Sequence, residues 1–488
     1  MQATDSKPML ALQPTEIWSQ FQKLCDTPRP SFHEAQIRQQ LIDWAHELGL
    51  STYLDPCGNL LIKKPATQSM QGRPTVVLQG HLDMVPQKTA DSNHDFVTDP
   101  IKTVIEDGWV TAVGTTLGAD NGIGVAAALA VLASTDIEHG PIEALFTIEE
   151  ETSLRGASEL ETGILAGKIL LNLDSEDRGD VYIGCAGGVD INGEKQYPIS
   201  KGNAEHATYQ LKVTGLRGGH SGLDIHKGIA SANVILARIL YLLNQQSTFS
   251  LSYIEGGTLR NAIAREAIAK LSFASTEKEG IEACVQTALA LNKEEFKGVD
   301  DFLEITLTAA DNADVNIISE KDQSELINLL NALPHGVESI SRELPGVTHT
   351  SINFGVVTLK QGQLQLCLLA RSLQDSKTAA IADKAAACLA LAGIKVRFEN
   401  DYPGWLPDPS TGLLKQFLDI HREEMGFDAK VKVIHAGLEC GIIGAKYPGM
   451  EMVSFGPNIR GAHSPAERLE ISSVNDFWRL LVKLLASL

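Results

Sequence analysis

Three short runs decide the fold: TVVLQGHLDMV (75–85), PIEALFTIEEE (141–151) and KILLNLDSED (168–177). Each is rich in β-branched and aliphatic residues, the composition of a buried strand. Between the first two lies GIGVAAALAVLA (122–133), an apolar helical stretch that Asn121 is placed to cap. Strand–helix–strand alternation predicts an α/β sheet that is at least partly parallel. In all three runs the acidic residues gather at the C-terminal end, where open α/β sheets bind ligands.

Outward from this core the texture changes near residue 190. HATYQLKVTGL (206–216) reads as a strand running into the Gly-rich turn Arg217–Gly222, and IASANVILARILYLL (229–243) as a helix. AIAREAIAKLSF (262–273) contains a strand, IEACVQTALALNKEEF (281–296) is helical, and FLEITLTAA (302–310) is extended. SINFGVVTL (351–359), QLQLCLLARS (363–372) and the Ala-rich TAAIADKAAACLALAG (378–393) repeat the alternation. VKVIHAGLECGII (431–443) and MEMVSFGP (450–457) then read as strands, and VNDFWRLLVKLLASL (474–488) as a closing amphipathic helix. The simplest parse is a discontinuous catalytic domain, residues 1–189 and 403–488, with an α+β insertion at 190–402. The insertion suggests two related halves, although no residue-level repeat joins them.

Composition narrows the class. A chain of 488 residues holds two or three domains at about 150 residues each. Its 41 Lys+Arg against 61 Asp+Glu leave a net charge of −20, which repels phosphate backbones and anionic lipid. Neither nucleic acid nor membrane is an expected partner. The longest apolar run is about a dozen residues where a membrane span needs about 20. The N-terminal MQATDSKPMLALQPTEIW lacks a basic start and apolar core, so no secretory signal is expected. Seven scattered cysteines without a CxxC pair argue against a disulfide framework or thiolate zinc site and favour the cytoplasm.

Five segments place metal-ligand residue types at strand ends: GHLDM (80–84), LGADNG (117–122), TIEEETS (147–153), NLDSED (172–177) and GAHSP (461–465). Singly, each is an ordinary turn, cap or solvated acidic face. Together, Asp120, Asp174 and one of the glutamates Glu149–Glu151 supply oxygen ligands, while His81 and His463 supply imidazoles. Two histidines with three carboxylates suit a pair of divalent ions such as Zn²⁺, Mn²⁺ or Co²⁺. Such pairs activate water for hydrolysis. Asp83, two residues beyond His81 and on the same strand face, can accept the second imidazole N–H. A further carboxylate is needed to take the water's proton, and adjacent glutamates divide these tasks.

The chain resembles the dinuclear zinc peptidases that include peptidase T, carnosinase and the glutamate-releasing carboxypeptidases. The resemblance runs through LCDTPRPSFHE (24–34), VVLQGHLDMVPQK, GTTLGADNGIG, LNLDSED, GCAGG, GGHSG, GGTLRNAIAR, YPGW, HAGLECG and GPNIRGAHSP, and so spans essentially the whole chain. It implies an α/β fold: a mixed-sheet catalytic domain with an inserted α+β lid, the lid also serving dimerisation. It implies that His81 and Asp174 hold one ion, Glu151 and His463 the other, and Asp120 both. Asp83 becomes the orienting residue and Glu150 the general base; the family's Glu-Glu-x-Gly pattern has Ser153 where Gly is common, which leaves Glu149/Glu150 as an open register. In the lid, the resemblance makes His220 the group that polarises the scissile carbonyl. It also makes Asn261 and Arg371 the groups that hold a C-terminal carboxylate.

The implied activity is hydrolysis of small unblocked dipeptides, including Xaa-His and β-alanyl-histidine, by a cytoplasmic homodimer carrying two divalent ions, zinc foremost. A deacylase acting on N-acyl amino acids could share the same ligand set. Glu439 in HAGLECG is a candidate for meeting a substrate ammonium. The other histidines, and Cys185 and Cys440, read as packing or surface residues.

Overall fold

The apolar runs become the strands Val76–His81, Ile142–Thr147 and Ile169–Asn172, which lie parallel in one sheet with Val76–His81 in the middle. Glu451–Ser454 extends it, parallel to Ile169–Asn172. The structure, a computed structural model, describes residues 8–311 and 315–488, so the first seven residues of the N-terminal stretch lie outside it. Among the described residues this sheet has eight strands. Ser51–Leu54 and Leu60–Lys64 are antiparallel at one end, and Asp180–Cys185 and Lys430–Ile434 lie at the other. It belongs to a compact unit formed by Met1–Gly184, Trp405–Val433 and Leu438–Leu488.

The helix Ala119–Ala133 is buried along almost its whole length, which explains why it is apolar on every side. With Trp18, Phe21, Phe146, Phe417 and Leu481 it forms the core of this unit. Truncating a side chain as enclosed as Phe146 to alanine costs about 3–5 kcal/mol. Asn121 does not cap the helix. It stands just before the regular turns with the non-helical backbone of a capping residue, but its side-chain oxygen accepts no N–H among the described residues and its amide donates to the Leu173 carbonyl at 2.7 Å. Upstream of the kink, Glu467 accepts the amides of Leu117, Gly118, Ala119 and Asp120.

A second unit, Cys185–Gly404 with Ile434–Gly437, has a different architecture. Its main sheet is antiparallel and, among the described residues, nine-stranded: Glu304–Ala309, Ala207–Thr214, Ala267–Phe273, Ser250–Gly256, Thr348–Lys360, Gln363–Ser372, Gly187–Gln196 and Lys395–Tyr402 in order, with Gly336–Ile340 beside Thr348–Lys360. The helices Ala232–Gln246, Lys278–Glu295, Glu320–Ala332 and Asp375–Leu391 share its core through residues such as Leu236, Ile281, Ile327 and Leu389.

Two sequence expectations change here. VKVIHAGLECGII is not one strand: extended backbone ends at Ile434 and the helix Glu439–Lys446 follows. The Ala436-Gly437 step interrupts the β-branched alternation, and Cys440, Ile442 and Ile443 bury a helical face instead. The strand bearing His81 also stops at that residue, so Asp83 reaches the imidazole from a turn rather than by strand alternation. The helices Thr15–Asp26, Ala35–Glu47, Glu320–Ala332 and Gly412–Met425 were not anticipated from the apolar runs.

Candidate metal centre

The parallel strands of the first unit end in a cluster of carboxylates and imidazoles. His81 closes Val76–His81, and Asp174 follows Ile169–Asn172 by two residues. Glu150 and Glu151 open a one-turn helix just after Ile142–Thr147. Asp120 begins the long helix, and His463, with a left-handed φ of 62°, lies in the loop between Ile459–Arg460 and Arg468–Glu470.

Asp120 stands at the centre. Its Oδ1 is 3.1 Å from His81 Nε2, and its Oδ2 is 3.1 Å from His463 Nε2. His81 Nε2 is also 3.4 Å from Asp174 Oδ1, and His463 Nε2 is 2.9 Å from Glu151 Oε2. Three groups of ligand atoms lie close enough to hold an ion: His81–Asp120–Asp174 and Asp120–Glu151–His463, which share Asp120, and His81–Glu150–Glu151.

The donor chemistry fits divalent cations. His81 Nδ1 lies 3.3 Å from Asp83 Oδ1 and 3.2 Å from the Asp83 carbonyl, acceptors that fix the ring proton on Nδ1. With a cation bound, Nε2 would offer its lone pair beside the carboxylates of Asp120 and Asp174. Asp174 Oδ1 and Glu151 Oε1 are buried oxygens that accept no hydrogen bond, an arrangement that calls for a cation. Four carboxyls around two imidazoles also match the charge of two divalent ions.

Electrostatics follow from burial and crowding. Burial, with the neighbouring Asp174, Glu151 and Glu439 charges, raises the Glu150 carboxyl well above its ordinary range against the pull of His81. Glu151 and Asp174 are raised by burial as well. Burial would also raise Asp120, but hydrogen bonds to His463 and His81 hold it below the usual carboxylate range. Hydrogen bonds to Asp120 and Glu151 push His463 up to about 11.

Asp83 does more than face His81. Its carboxylate accepts the backbone N–H groups of Glu150 (3.0 Å) and Glu151 (3.2 Å) and the Ser31 hydroxyl (2.7 Å). It therefore fixes the ligand imidazole and the glutamate turn together. Glu149, the alternative in the glutamate register, pairs with Arg155 at 2.6 Å, whereas Glu151 is the glutamate beside His463.

A family model for peptidase family M20/M25/M40 matches residues 77–487. The chain belongs to this family. It is 42% identical over 474 residues to the cytosol non-specific dipeptidase of Escherichia coli (strain K12), covering 97% of this chain and 98% of that one. It superposes on the crystal structure of aminoacylhistidine dipeptidase from Vibrio alginolyticus with a TM-score of 0.93 at 42% identity, covering 100% and 99% of the two chains. The aminopeptidase PepT of Bacillus cereus shares the fold at a TM-score of 0.56 and 17% identity, covering 97% and 98%. The M20/M25/M40 assignment matches the resemblance carried by the sequence motifs, and divalent-metal dependence comes with it.

His220, Asn261 and Arg371 of this M20/M25/M40 sequence lie in the second unit, where Ser221 brings them together. Ser221 N–H donates to the Asn261 carbonyl (2.8 Å), and its hydroxyl accepts from Arg371 Nε (3.4 Å). The His220 strand pairs with Ala262–Ile263. His220 Nδ1 accepts the N–H groups of Gly222 (3.1 Å) and Leu223 (3.0 Å), which leaves the ring proton on Nε2. Burial and the Arg371 charge depress this histidine to about 4, so it is a neutral N–H donor at pH 7. Arg371 is buried and donates to Tyr402 Oη at 2.6 Å. Among the described residues no carboxylate pairs with it, while Asn261 has an exposed side chain.

Two neighbours were missed. Tyr402 opens the YPGW motif, a signal that was present but read only as resemblance. His435 is buried and meets Ser351 Oγ at 2.8 Å; burial and Arg371 depress it to about 3. It opens the HAGLECG motif, which was likewise read only as resemblance. Glu439 is buried, and its Oε2 accepts from Gln79 Nε2 (2.5 Å) and Thr147 Oγ1 (2.8 Å), linking the strands that precede His81 and Glu150.

Proposed function

We propose that the protein is a dipeptidase holding two divalent ions, zinc foremost with cobalt or manganese as substitutes, that cleaves unblocked dipeptides including Xaa-His and β-alanyl-histidine. The observation that carries this reading is the division of Asp120: one oxygen faces His81 and the other His463, each beside a further carboxylate. His81, Asp120 and Asp174 would hold one ion, and Asp120, Glu151 and His463 the other. Bound there, the ions would supply electrostatic polarisation of a peptide carbonyl and acidify water.

The chain's own groups perform the proton work. Glu150, with its raised proton affinity, accepts the proton of the attacking water and delivers it to the leaving nitrogen. Asp83 keeps the His81 ring in one tautomer and holds the Glu150 backbone in place. The neutral His220 has an Nε2 proton to donate to the carbonyl oxygen as negative charge develops. The unpaired Arg371 guanidinium suits the substrate's C-terminal carboxylate in a bidentate contact, with Asn261 nearby. In this reading residues 1–189 and 403–488 form the catalytic domain, 190–402 the lid, and the working form is a cytoplasmic homodimer.

The deciding experiment compares alanyl-histidine, β-alanyl-histidine and acetyl-alanyl-histidine before EDTA, after it, and after adding back Zn²⁺, Mn²⁺ or Co²⁺. Metal-restorable cleavage of the free-amine peptides alone is expected. Cleavage of acetylated substrates with no attack on the free peptides would overturn the reading in favour of an N-acyl amino acid deacylase.

A further inference from the structure

We infer that Glu467, working with Arg29, is a positioning residue that presents Asp120 to the metal ions. The inference rests on the reading of the His81–Asp120–His463 cluster as the metal centre. Neither residue touches a reacting atom in that reading.

One carboxylate receives four successive backbone amides. Glu467 Oε2 accepts from Leu117 N (2.7 Å) and Gly118 N (2.9 Å), and Oε1 from Ala119 N (2.8 Å) and Asp120 N (3.2 Å). An ordinary helix cap satisfies one such N–H, or two with a capping box. Arg29 grips carbonyls of the same region: Nη2 donates to Gly118 O at 2.5 Å, and Nη1 to Leu82 O (2.9 Å) and Asp83 O (3.1 Å). Gly118 is therefore held by its amide from one charge and by its carbonyl from the other. Both side chains are buried, at 2% and 1% exposure, and the backbone hydrogen bonds each makes offset part of its desolvation.

The glycines of LGADNG record this arrangement. Gly118 has φ of +70°, and a Cβ there would lie 2.7 Å from Arg29 Nη2 and 2.9 Å from Met84 Sδ. A Cβ on Gly122 would come within 2.5 Å of the same guanidinium nitrogen. Arg29 passes through space that any larger residue would close.

The pair sets direction rather than merely ending a helix. Asp120 itself has non-helical φ/ψ of −79°/112°, so helix geometry does not aim its carboxylate. What fixes its backbone is the amide held by Glu467. Glu467 N–H also donates to Ser464 O at 3.0 Å, one residue beyond His463, while Arg29 holds the carbonyls just beyond His81. The backbone beside His81, Asp120 and His463 is thus held by two buried charges of opposite sign. Partners that orient metal ligands in this way typically contribute about 10–100-fold in metal affinity.

The test is zinc binding by the full-length, metal-free protein, titrated against a chromogenic chelator, with circular dichroism and thermal unfolding on the same samples. The unaltered chain is measured first. Uptake of no zinc by it would overturn the metal-centre reading and this inference together. Glu467→Gln places an NH₂ against amides and is expected to weaken zinc about 10–100-fold at a temperature where it is fully folded. Glu467→Asp keeps the charge and should recover part of that loss; it also decides the matter if the Gln variant does not fold. Leu413→Ala, a buried substitution in another helix, supplies a loss of thermal stability with no link to Asp120. Unchanged zinc affinity in folded Glu467 variants, or an equal loss in Leu413→Ala, overturns the positioning role and leaves the function intact.

Discussion

In the first unit four carboxyls crowd around two imidazoles. In the second, Arg371, His220, His435 and Tyr402 gather without a carboxylate paired to the guanidinium among the described residues. Burial acts on both clusters by disfavouring charge, and it does so in opposite directions of pKa. It raises Glu150, Glu151 and Asp174, and it depresses His220 and His435. One cluster is short of positive charge and the other of negative. In the proposed reading a metal pair would answer the first and a substrate carboxylate the second. In that reading each cluster is an ion group that its ligand would complete.

The comparison is broken most directly at Glu150. Glu150→Gln removes the proposed proton acceptor while leaving the two triads that share Asp120 in place, so kcat on alanyl-histidine should fall by about 10²–10⁴-fold. Zinc content measured on the same preparation should stay at the unaltered level. Next is His220→Ala, which removes one neutral donor; kcat should fall by about 10²–10³-fold with a smaller change in KM. Arg371→Met tests the second cluster's need for an anion. Losing a charge-assisted contact of about 2–3 kcal/mol should lower kcat/KM by about 30–200-fold, mainly through KM. An amidated dipeptide should be as poor a substrate for the unaltered enzyme and should lose little further with the variant. If amidation and Arg371→Met lower kcat/KM additively, Arg371 does not hold that carboxylate.

The smallest expected effect concerns stability. His435 is buried, with a folded pKa of about 3 against an ordinary 6.5. Between those values the unfolded chain binds a proton that the folded chain does not. Stability from this residue is therefore intact above pH 6.5 and falls as pH drops toward 3. Unfolding of metal-free His435→Gln, followed from pH 7.5 to pH 5, should show a gap from the unaltered chain that narrows as pH falls. A gap independent of pH would mean that His435 is not held neutral.

Much of the first cluster was legible because its residue types sit at the ends of recognisable strands. His81, Asp120 and Asp174 each follow an apolar run or precede a helix, and open sheets concentrate ligands at such ends. His463 lies in a loop with no periodic pattern, and only the GAHSP motif marked it. The glutamate register was ambiguous because three identical residues run together; side-chain direction separates Glu149, paired with Arg155, from Glu151 beside His463. The helix at Glu439–Lys446 was read as strand because its short apolar stretch carries both periodicities.

By itself the sequence determined the α/β core, the placement of acidic groups at strand ends, and, through motif resemblance, the chemistry those groups serve. Local periodicity and ligand residue types are properties of neighbours along the chain, so they survive without coordinates. Tertiary structure decided which oxygen of Asp120 faces which histidine, how Ser221 joins Asn261 and Arg371, and why two glycines flank Asp120. Glu467 lies 347 residues from Asp120 and Arg29 lies 53 from Leu82. No local pattern encodes a buried carboxylate that collects amides across such a distance; only the packed fold brings donor and acceptor together.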